Sequence, residues 1–459
     1  MNYLKEDTIA ALSSAVGKSA IAVIRLSGEN SFQIINKIFK TISKSEQQVK
    51  YGYILDGIEK KDQVICTFFK KPYTYTGENL VEIAAHGNPV IINEVLQLLY
   101  RNGARPAEAG EFTYRAFLNG KMDLAEAEAV CALITSKTEI SAKAALKNVS
   151  GEFSLKIKNI NDTLTNLIAF MEVNLDHPEE DIIFLSRSEK LSRIDSCIEN
   201  IQNLLNSYKI SRALHQGIKV AIVGKPNTGK SSLLNAVLDK NRAIVTDIAG
   251  TTTDTIEETI DCNGIPLTII DTAGIRSHSE NLIEFLGQEK TREAAVKADM
   301  LICLLDNSLE LDQNDTKIAD FLIKSAINIP VIGVLNKCDL PSAIFLNGNS
   351  VLNFTFADVV KISAKTKAGI SDLLDTIAKF AGAADCENDY LMINSRHFML
   401  LQNAFEALMR TKKTLCSGNA DEIACFEAAA AQTLLNEILG INVKQDILDT
   451  IFSTFCIGK

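Results

Sequence analysis

The chain has 459 residues, of which 46% are hydrophobic and 23% are charged, and this ordinary globular composition excludes bulk disorder and a collagen-like fibre. At roughly 100–200 residues per domain, the length predicts two to four domains. The net charge of −10, from 47 Lys+Arg against 57 Asp+Glu, excludes a protein that wraps nucleic acid over most of its surface, so any RNA contact is expected to be local.

The sequence leads us to expect a cytoplasmic protein with free thiols and no membrane segment. Its first ten residues show no basic segment followed by an apolar run, which a signal peptide would have. No stretch reaches the roughly 18 apolar residues that a membrane span needs. The ten cysteines include no Cys-x-x-Cys pair, which argues against a zinc ribbon or a redox dithiol.

Residues 1–118 show short apolar runs alternating with helical patterns, which predicts a small α+β domain. The expected strands are 21–26, 64–69 and 79–86, and the expected helices are 31–39 and 89–100. Residues 119–214 and 382–459 are helical in pattern, because apolar residues recur there at three- and four-residue spacing and proline is nearly absent. These two stretches are interpreted as one discontinuous helical domain.

Residues 215–381 alternate apolar strand patterns with segments of helix length, which is typical of a doubly wound, mostly parallel sheet. The expected strands are 219–223, 267–270, 300–305, 331–335 and 359–362. The simplest arrangement inserts this α/β domain between the two parts of the helical domain.

The segment from Gly224 to Ser231 reads Gly-Lys-Pro-Asn-Thr-Gly-Lys-Ser and matches the phosphate-binding P-loop. It follows an expected strand and precedes a helical pattern, which is the context that the motif requires. Its glycines let backbone N–H groups surround phosphates. Lys230 is expected to reach the β- and γ-phosphates, and the Ser231 hydroxyl is expected to bind magnesium.

Three further motifs follow in the order that a GTPase has, each at the carboxyl end of an expected strand. Asp271-Thr272-Ala273-Gly274 is expected to meet magnesium-bound water and the γ-phosphate. Asn336-Lys337-Cys338-Asp339 carries a carboxylate that can accept two N–H bonds from a guanine edge. Ser363-Ala364-Lys365 is expected to support the base.

The loop from Asp247 to Asp254 is rich in threonine, and Thr252 is the expected switch residue that closes on magnesium. The hydrolytic water needs another group, because Ile275 stands where many small GTPases have a water-orienting glutamine. A carboxylate of the next loop, Glu280 or Glu284, could orient that water. A monovalent cation near Asn227 could neutralise charge in place of an arginine.

Together these motifs and the terminal Phe455-Cys456-Ile457-Gly458-Lys459 resemble the MnmE (TrmE) family of tRNA-modification GTPases over nearly the whole chain. The segments from Thr76 to Gly87 and from Arg115 to Asn119 also resemble that family. The resemblance implies a multidomain α/β plus all-α protein. A P-loop GTPase domain (215–381) would be inserted in a discontinuous helical domain (119–214 and 382–459), after an N-terminal α+β domain (1–118) that binds tetrahydrofolate and dimerises.

The resemblance also implies site residues and cofactors. Arg25, Glu82, Lys121 and Lys459 would contact 5-formyl-tetrahydrofolate or another one-carbon tetrahydrofolate. Potassium would lie among Asn227, Thr246, Ile248 and Thr251, and magnesium would be held by Ser231 and Thr252. Glu284 and Lys230 would be catalytic. The expected GTP contacts are Asn227, Thr228, Gly229, Lys230, Ser231, Ser232, Thr246, Asp247, Ile248, Ala249, Gly250, Thr251, Thr252, Asp271, Thr272, Ala273, Gly274, Asn336, Lys337, Asp339, Ser363, Ala364 and Lys365.

The function that the resemblance implies is potassium-stimulated GTP hydrolysis in wobble-uridine modification of tRNA, by a homodimer with an FAD-dependent MnmG-type partner in a heterotetramer. The sequence departs from the family at Thr253, where arginine is common, and in the alanine-rich stretch 426–439. Cys456 is either a thiolate activated by Lys459 for one-carbon chemistry or an inert thiol. The competing functions are a ribosome-assembly GTPase resembling Era or Der, and a regulatory scaffold that binds GTP without turnover.

Overall fold

The structure is a computed structural model that describes residues 7–42, 48–176, 185–240, 258–270, 297–325, 329–344, 350–351, 354–382, 390–417 and 421–459. It divides into two compact units. The first contains Met1–Cys131, Val149–Ser186 and Thr414–Lys459, and the second contains Ala132–Asn148 and Arg187–Lys413. The domain bounds at 118, 214 and 381 stay predictions.

In the described part of the first unit, seven strands form one sheet in the order β3-β4-β5-β6-β2-β1-β7. All neighbouring strands are antiparallel except β1 and β7, which are parallel. The three strands expected near the N-terminus are confirmed as β2, β5 and β6. The strands are β1 (Ile9–Leu12), β2 (Ser19–Ser27), β3 (Phe39–Thr41), β4 (Val49–Asp56), β5 (Glu59–Phe69), β6 (Leu80–Gly87) and β7 (Arg105–Pro106).

One face of this sheet is covered by the two expected helices, α1 (Ser31–Ile38) and α2 (Pro89–Arg101). Alternate residues of the strands, such as Ile24 and Ile83, meet Ile35 of α1 and Leu99 of α2 in a core from which water is excluded. Because successive side chains of a strand point to opposite faces, the other residues of the same strands lie on the second face of the sheet.

The expected helical stretch after the first sheet is confirmed in the described residues. The helices there are α3 (Glu111–Leu118), α4 (Leu124–Thr135), α5 (Glu139–Val149), α6 (Glu152–Asp176), α7 (Arg187–Asn206) and α8 (Tyr208–Gln216). None of the helices that the structure describes combines the length and apolar character needed to cross a membrane.

The second sheet is mostly parallel, as the sequence predicts. Within the described residues its order is β15-β12-β11-β8-β10-β9, and only the edge strand β9 is antiparallel to its neighbour. Its strands are β8 (Ile218–Gly224), β9 (Glu258–Cys262), β10 (Ile265–Ile270), β11 (Met300–Asp306), β12 (Val331–Asn336) and β15 (Asp358–Lys361); the separate pair β13 (Ser350–Val351) and β14 (Phe354–Thr355) forms a short hairpin.

Helices cover both faces of this sheet, as in a doubly wound fold. The helices α9 (Lys230–Lys240) and α11 (Ile370–Phe380) contribute Leu233 and Leu373 to the core on one face. The helix α10 (Gln313–Ser325) contributes Ile318 to the core on the other face. Since the sheet is covered on both sides, its strands are almost continuously buried.

The C-terminal helical pattern is confirmed as α12 (Ser395–Ser417), α13 (Asp421–Ile438) and α14 (Gln445–Ser453). Helix α13 packs against α6, where Gln432 Nε2 donates to Thr165 Oγ1 at 2.6 Å. The alanines Ala424, Ala428 and Ala431 of α13 are completely buried. The alanine content of this stretch therefore supplies small buried side chains to the helical core.

A buried ion network in the first unit is centred on Glu111, the first residue of α3. Its carboxylate, which is completely buried, accepts hydrogen bonds from Arg105 Nη2 at 2.7 Å and from Arg115 Nη2 at 3.0 Å. Arg115 Nη1 also donates to Glu78 at 3.1 Å. Burial alone would raise the pKa of Glu111, but the hydrogen bond from Arg105, with the other partners, lowers it below its ordinary value.

This network predicts a loss of stability in acid. The folded-state pKa of Glu111 is depressed, so its contribution is present above the unfolded-state pKa and is lost as pH falls through the folded-state value. Glu111→Gln should lower the free energy of unfolding by about 3 kcal/mol at neutral pH. The difference from the native chain should shrink as the pH falls below about 4.3, the ordinary pKa of a glutamate. Urea denaturation at a series of pH values from 7 down to about 2 measures both effects, with the exposed Glu29→Gln as control. Equal acid sensitivity in Glu111→Gln and the native chain would contradict the assignment.

Candidate functional site

The P-loop lies between β8 and α9, at the carboxyl end of the central strand. Asn227 and Gly229 have positive φ angles of 64° and 96°. A Cβ on Gly229 would overlap the side-chain amide of Asn336, so only glycine fits at this point. Backbone turned in this way forms a concave group of N–H donors that suits phosphate.

Lys230 begins α9 and turns its side chain back over the loop. Its Nζ donates to the carbonyl oxygens of Gly224 and Lys225, both at 2.8 Å. Burial lowers the pKa of Lys230 to about 8. Phosphate charge in the loop would favour the protonated form, because an opposite charge nearby raises the pKa of a lysine. Ser231 and Ser232 follow at the exposed start of the helix, where a helix terminus favours anions.

Asn336, at the end of β12, joins the P-loop to the two segments that are predicted to recognise the base. Its Nδ2 donates to the carbonyl oxygen of Thr228 at 2.8 Å, and its Oδ1 accepts from the N–H of Ala364 at 2.9 Å. Asn336 is 2% exposed. One buried side chain therefore fixes the distance between the part of the site suited to phosphate and the part suited to a base.

Asp339 lies three residues beyond Asn336 and is exposed to solvent. The hydroxyl of Ser363 donates to its Oδ1 at 2.7 Å. This hydrogen bond is the main cause that lowers the pKa of Asp339, so the carboxylate is charged at neutral pH. A charged carboxylate at the rim of the site can accept both N–H groups of a guanine edge. Lys337 precedes it with a φ of 66°, and Lys365 follows Ala364 on the neighbouring segment.

Several predicted site residues lie outside the described residues, and their roles stay predictions. They are the switch and potassium residues Thr246, Asp247, Ile248, Ala249, Gly250, Thr251 and Thr252, the motif Asp271, Thr272, Ala273 and Gly274, and the catalytic Glu284 with its alternative Glu280. Of the predicted potassium ligands, the structure describes Asn227 at the P-loop.

A second candidate site lies in the first unit, where Arg25 of β2 and Glu82 of β6 are partners across neighbouring strands. Arg25 Nε donates to Glu82 Oε1 at 2.8 Å. Glu82 and Lys121 line the same open cavity of about 290 Å³. Its other walls are Phe69, Tyr73, Thr74, Tyr75 and Leu80.

Lys121 in the cavity wall and Arg25, which contacts the wall residues Glu82 and Tyr75, are suited to a ligand with acceptor oxygens. Arg25 Nη1 is buried and has no hydrogen-bond partner among the described residues, although the guanidinium carbon lies 5.1 Å from the centre of the Tyr75 ring. A buried unsatisfied donor costs about 1–3 kcal/mol, and a ligand acceptor would offset that cost. Lys121 Nζ donates to the carbonyl oxygen of Pro72 at 2.9 Å.

The last four residues are held in the same unit by hydrogen bonds to their backbone carbonyl oxygens. The N–H of Gly110 donates to the carbonyl oxygen of Cys456 at 3.3 Å, and Ser13 Oγ donates to that of Gly458 at 2.9 Å. A Cβ on Gly458, whose φ is 95°, would clash with the backbone of Leu12. Burial is the main cause that lowers the pKa of Lys459, and the positive charge of Arg25 lowers it further. The negative charge of Glu82 acts in the opposite direction.

The structure thus brings Arg25, Glu82, Lys121 and Lys459 into one region, with Cys456 exposed at its margin. Sequence reasoning missed Tyr75, whose ring lies beside Arg25. The available signal was the Pro-Tyr-Thr-Tyr stretch directly before Thr76, since paired aromatic side chains are common in the walls of ligand cavities.

Comparisons with known proteins agree on one family. The family model "MnmE helical domain" matches residues 124–456, and the model "GTP-binding protein TrmE N-terminus" matches residues 8–121. The tRNA modification GTPase MnmE of Endomicrobium trichonymphae is 76% identical over 100% of both chains. The protein of the same name from Aquifex aeolicus is 41% identical over 99% of this chain and 100% of its own.

Among solved structures, the translation elongation factor SelB of Methanococcus maripaludis with a GTP analogue matches 37% of this chain and 35% of its own, at 20% identity and a TM-score of 0.25. This likeness is too low to support any argument. The two family models and the full-length relatives carry the assignment: the chain belongs to the MnmE (TrmE) family of tRNA modification GTPases.

Proposed function

We propose that this GTPase acts with an FAD-dependent MnmG-type partner to add a carboxymethylaminomethyl or aminomethyl group to C5 of the wobble uridine of certain tRNAs, in the cytoplasm. The observation that carries the proposal is the Asn336 side chain, which hydrogen-bonds both to the P-loop and to the segment around Ala364, as a guanine-nucleotide site would require. The full-length relatives named as tRNA modification GTPases support the choice of RNA substrate.

Hydrolysis in this proposal depends on charge and positioning. Lys230 and the N–H groups of the P-loop neutralise the phosphates, and Ser231 and Thr252 are the residues that would hold magnesium. Glu284 would orient the attacking water, because Ile275 has no polar atom for that task. Asn227, Thr246, Ile248 and Thr251 would hold potassium, which would also promote dimerisation of the GTPase domains.

The cavity of the first unit suits 5-formyl-tetrahydrofolate or another one-carbon tetrahydrofolate, which would supply the one-carbon unit when bound. Glu82 can accept N–H bonds from a pterin ring. Arg25, Lys121 and Lys459 provide positive charge for the carboxylates of a folate, and the buried Arg25 Nη1 is the donor that an oxygen of such a ligand would satisfy.

The second face of the seven-stranded sheet supports a homodimer. Opposite the helix-covered core, paired residues of four adjacent strands form an apolar row of Val23, Ala84, Ile65 and Tyr51. Ile65 is 44% exposed and Tyr51 is 47% exposed, and Val49 and Ile21 near them are also exposed. An exposed apolar row of this kind is typical of a protein–protein interface, and a second copy would cover it with the same surface.

The competing functions differ in what they require. The family assignment over the full length removes the support for a ribosome-assembly GTPase of the Era or Der type. A regulatory scaffold would need GTP binding without turnover, and it would retain its function when Glu284 is replaced.

The base contact can be tested with Asp339→Asn. The amide offers an acceptor and a donor where the carboxylate offers two acceptors, so preference should shift from guanine to xanthine nucleotides. We expect the Kd for GTP to rise by about tenfold or more, measured by calorimetry with GTP and xanthosine triphosphate. Unchanged GTP affinity would remove Asp339 from the base-binding site.

The modification itself can be tested in a bacterial strain that lacks its own family member. Expression of this chain with its MnmG-type partner should restore the modified wobble uridine, as measured by mass spectrometry of tRNA nucleosides. Glu284→Ala, expressed at the same level, should not restore it. Restoration by Glu284→Ala would favour the scaffold, and no restoration by the native chain would refute the proposed reaction.

The folate site predicts that Arg25→Met weakens binding of 5-formyl-tetrahydrofolate by about tenfold or more, because a charged hydrogen bond to the ligand is lost. The exposed Arg101→Met, in the same unit, is the matched control. Calorimetry measures the affinity, and circular dichroism checks that Arg25→Met is folded, because the substitution also removes the hydrogen bond to Glu82. Equal affinity in Arg25→Met and the control would exclude Arg25 from the site.

A further inference from the structure

The segment from Asp306 to Asp315, here called the bridging segment, leads from the end of β11 into the first turn of α10. It contains none of the residues predicted to touch GTP. Its side chains nevertheless contact both ends of the nucleotide site, and they do so through buried carboxylates.

At the base end, Asp306 pairs with Lys337. Asp306 Oδ2 lies 2.6 Å from Lys337 Nζ, and the Asp306 side chain is 4% exposed. Its Oδ1 also accepts hydrogen bonds from the hydroxyl and the N–H of Ser308, at 2.6 and 3.0 Å. Burial raises the pKa of Asp306, but the hydrogen bonds from Lys337 and Ser308 outweigh it, so the pKa is lowered overall.

The backbone reinforces this contact. The N–H of Asn307 donates to the carbonyl oxygen of Asn336 at 2.9 Å, directly before Lys337. The carbonyl oxygen of Asn307 accepts from the N–H of Ala343 at 2.8 Å. The bridging segment therefore holds the base-recognition loop on both sides of Asp339.

At the phosphate end, Asp315 pairs with Lys225 of the P-loop. Lys225 Nζ lies 2.7 Å from Asp315 Oδ2 and 3.2 Å from Asp312 Oδ2, and the Asp315 side chain is 2% exposed. Asp312 and Asp315 also exchange hydrogen bonds with each other's backbone N–H at the start of α10. These hydrogen bonds therefore hold the two carboxylates in place independently of Lys225.

Lys225 connects this pair to the phosphate-binding lysine. Its carbonyl oxygen accepts from Lys230 Nζ at 2.8 Å and from Thr228 Oγ1 at 2.9 Å. A change in the position of Lys225 would therefore move the acceptors that orient Lys230 and Thr228.

We propose that the bridging segment positions both ends of the nucleotide site, with Asp306 acting through Lys337 at the base and Asp315 acting through Lys225 at the phosphates. The proposal rests on the guanine-nucleotide site and deepens it by naming two positioning residues. A lysine whose ammonium is held in place can lay its apolar stem against a flat ring, which is how Asp306 would affect a bound base.

The test uses Asp306→Asn and Asp315→Asn in the full chain. Asparagine keeps an acceptor oxygen for Ser308 or for the N–H of Asp312, so each substitution mainly removes the charge of an ion pair. The matched control is Asp239→Asn, which alters an exposed pair with Lys367 in the same unit. The probe is N-methylanthraniloyl-GDP, whose dissociation is followed by stopped-flow fluorescence.

Both variants should release the probe about tenfold faster than the native chain, while the control should not differ. The kcat at saturating GTP should stay within about twofold for Asp306→Asn, because the change affects binding at the base and not the reacting phosphate. In competition experiments, Asp306→Asn should weaken the binding of GTP and of guanosine monophosphate by the same factor. Asp315→Asn should weaken the binding of GTP more than that of guanosine monophosphate, because it acts through the phosphate loop.

Double variants distinguish positioning through the lysine from a purely structural role of the aspartate. If Asp306 acts through Lys337, then Asp306→Asn combined with Lys337→Met should release the probe no faster than Lys337→Met alone. Additive effects, or release rates equal to that of Asp239→Asn, would overturn the inference while leaving GTP binding intact. Failure of the native chain to bind the probe would overturn the guanine-nucleotide site and the inference together.

Discussion

The nucleotide site depends on the two hydrogen bonds made by the side-chain amide of Asn336. A buried amide left without partners costs about 1–3 kcal/mol, so the P-loop and the segment around Ala364 cannot separate without that penalty. The amide also explains why position 229 requires glycine, because a Cβ there would occupy the space that the amide needs. The distance between phosphate loop and base segment is therefore fixed before any ligand arrives, which reduces the ordering cost of binding.

The cations of the two candidate sites differ in how fully they are paired. In the second unit, Lys225 and Lys337 are each held by a carboxylate of the bridging segment. In the first unit, Arg25 uses its Nε on Glu82 and keeps Nη1 buried without a partner among the described residues. A buried guanidinium with one unsatisfied donor is less stable than a fully paired one. Such a cost is common at binding sites, where the ligand supplies the missing acceptor.

The sequence predicted the features that depend on local pattern. The P-loop, β11 and β12 could be found because their strands are continuously apolar and their motifs occupy adjacent residues. The short strands β1 and β7 were missed, since four and two residues carry little periodicity and their pairing joins distant segments. The bridging segment was missed for the same reason: Asp315 lies 90 residues from Lys225, and no local pattern links an aspartate in a helix cap to a lysine in a phosphate loop. The contact of Gly458 with Ser13 spans still more of the chain.

The P-loop itself shows how partners decide the role of a lysine. Lys225 and Lys230 belong to one loop, and burial lowers the pKa of both. For Lys225 the hydrogen bonds to Asp315 and Asp312 outweigh burial, so its pKa is raised overall. For Lys230 burial prevails, and its pKa falls to about 8. The charge of Lys225 is thus stabilised by the fold, whereas the charge of Lys230 would gain from an anion in the loop. A nucleotide phosphate would stabilise the charge of Lys230 as Asp315 stabilises the charge of Lys225. The two lysines are connected by the hydrogen bond from Lys230 Nζ to the carbonyl oxygen of Lys225.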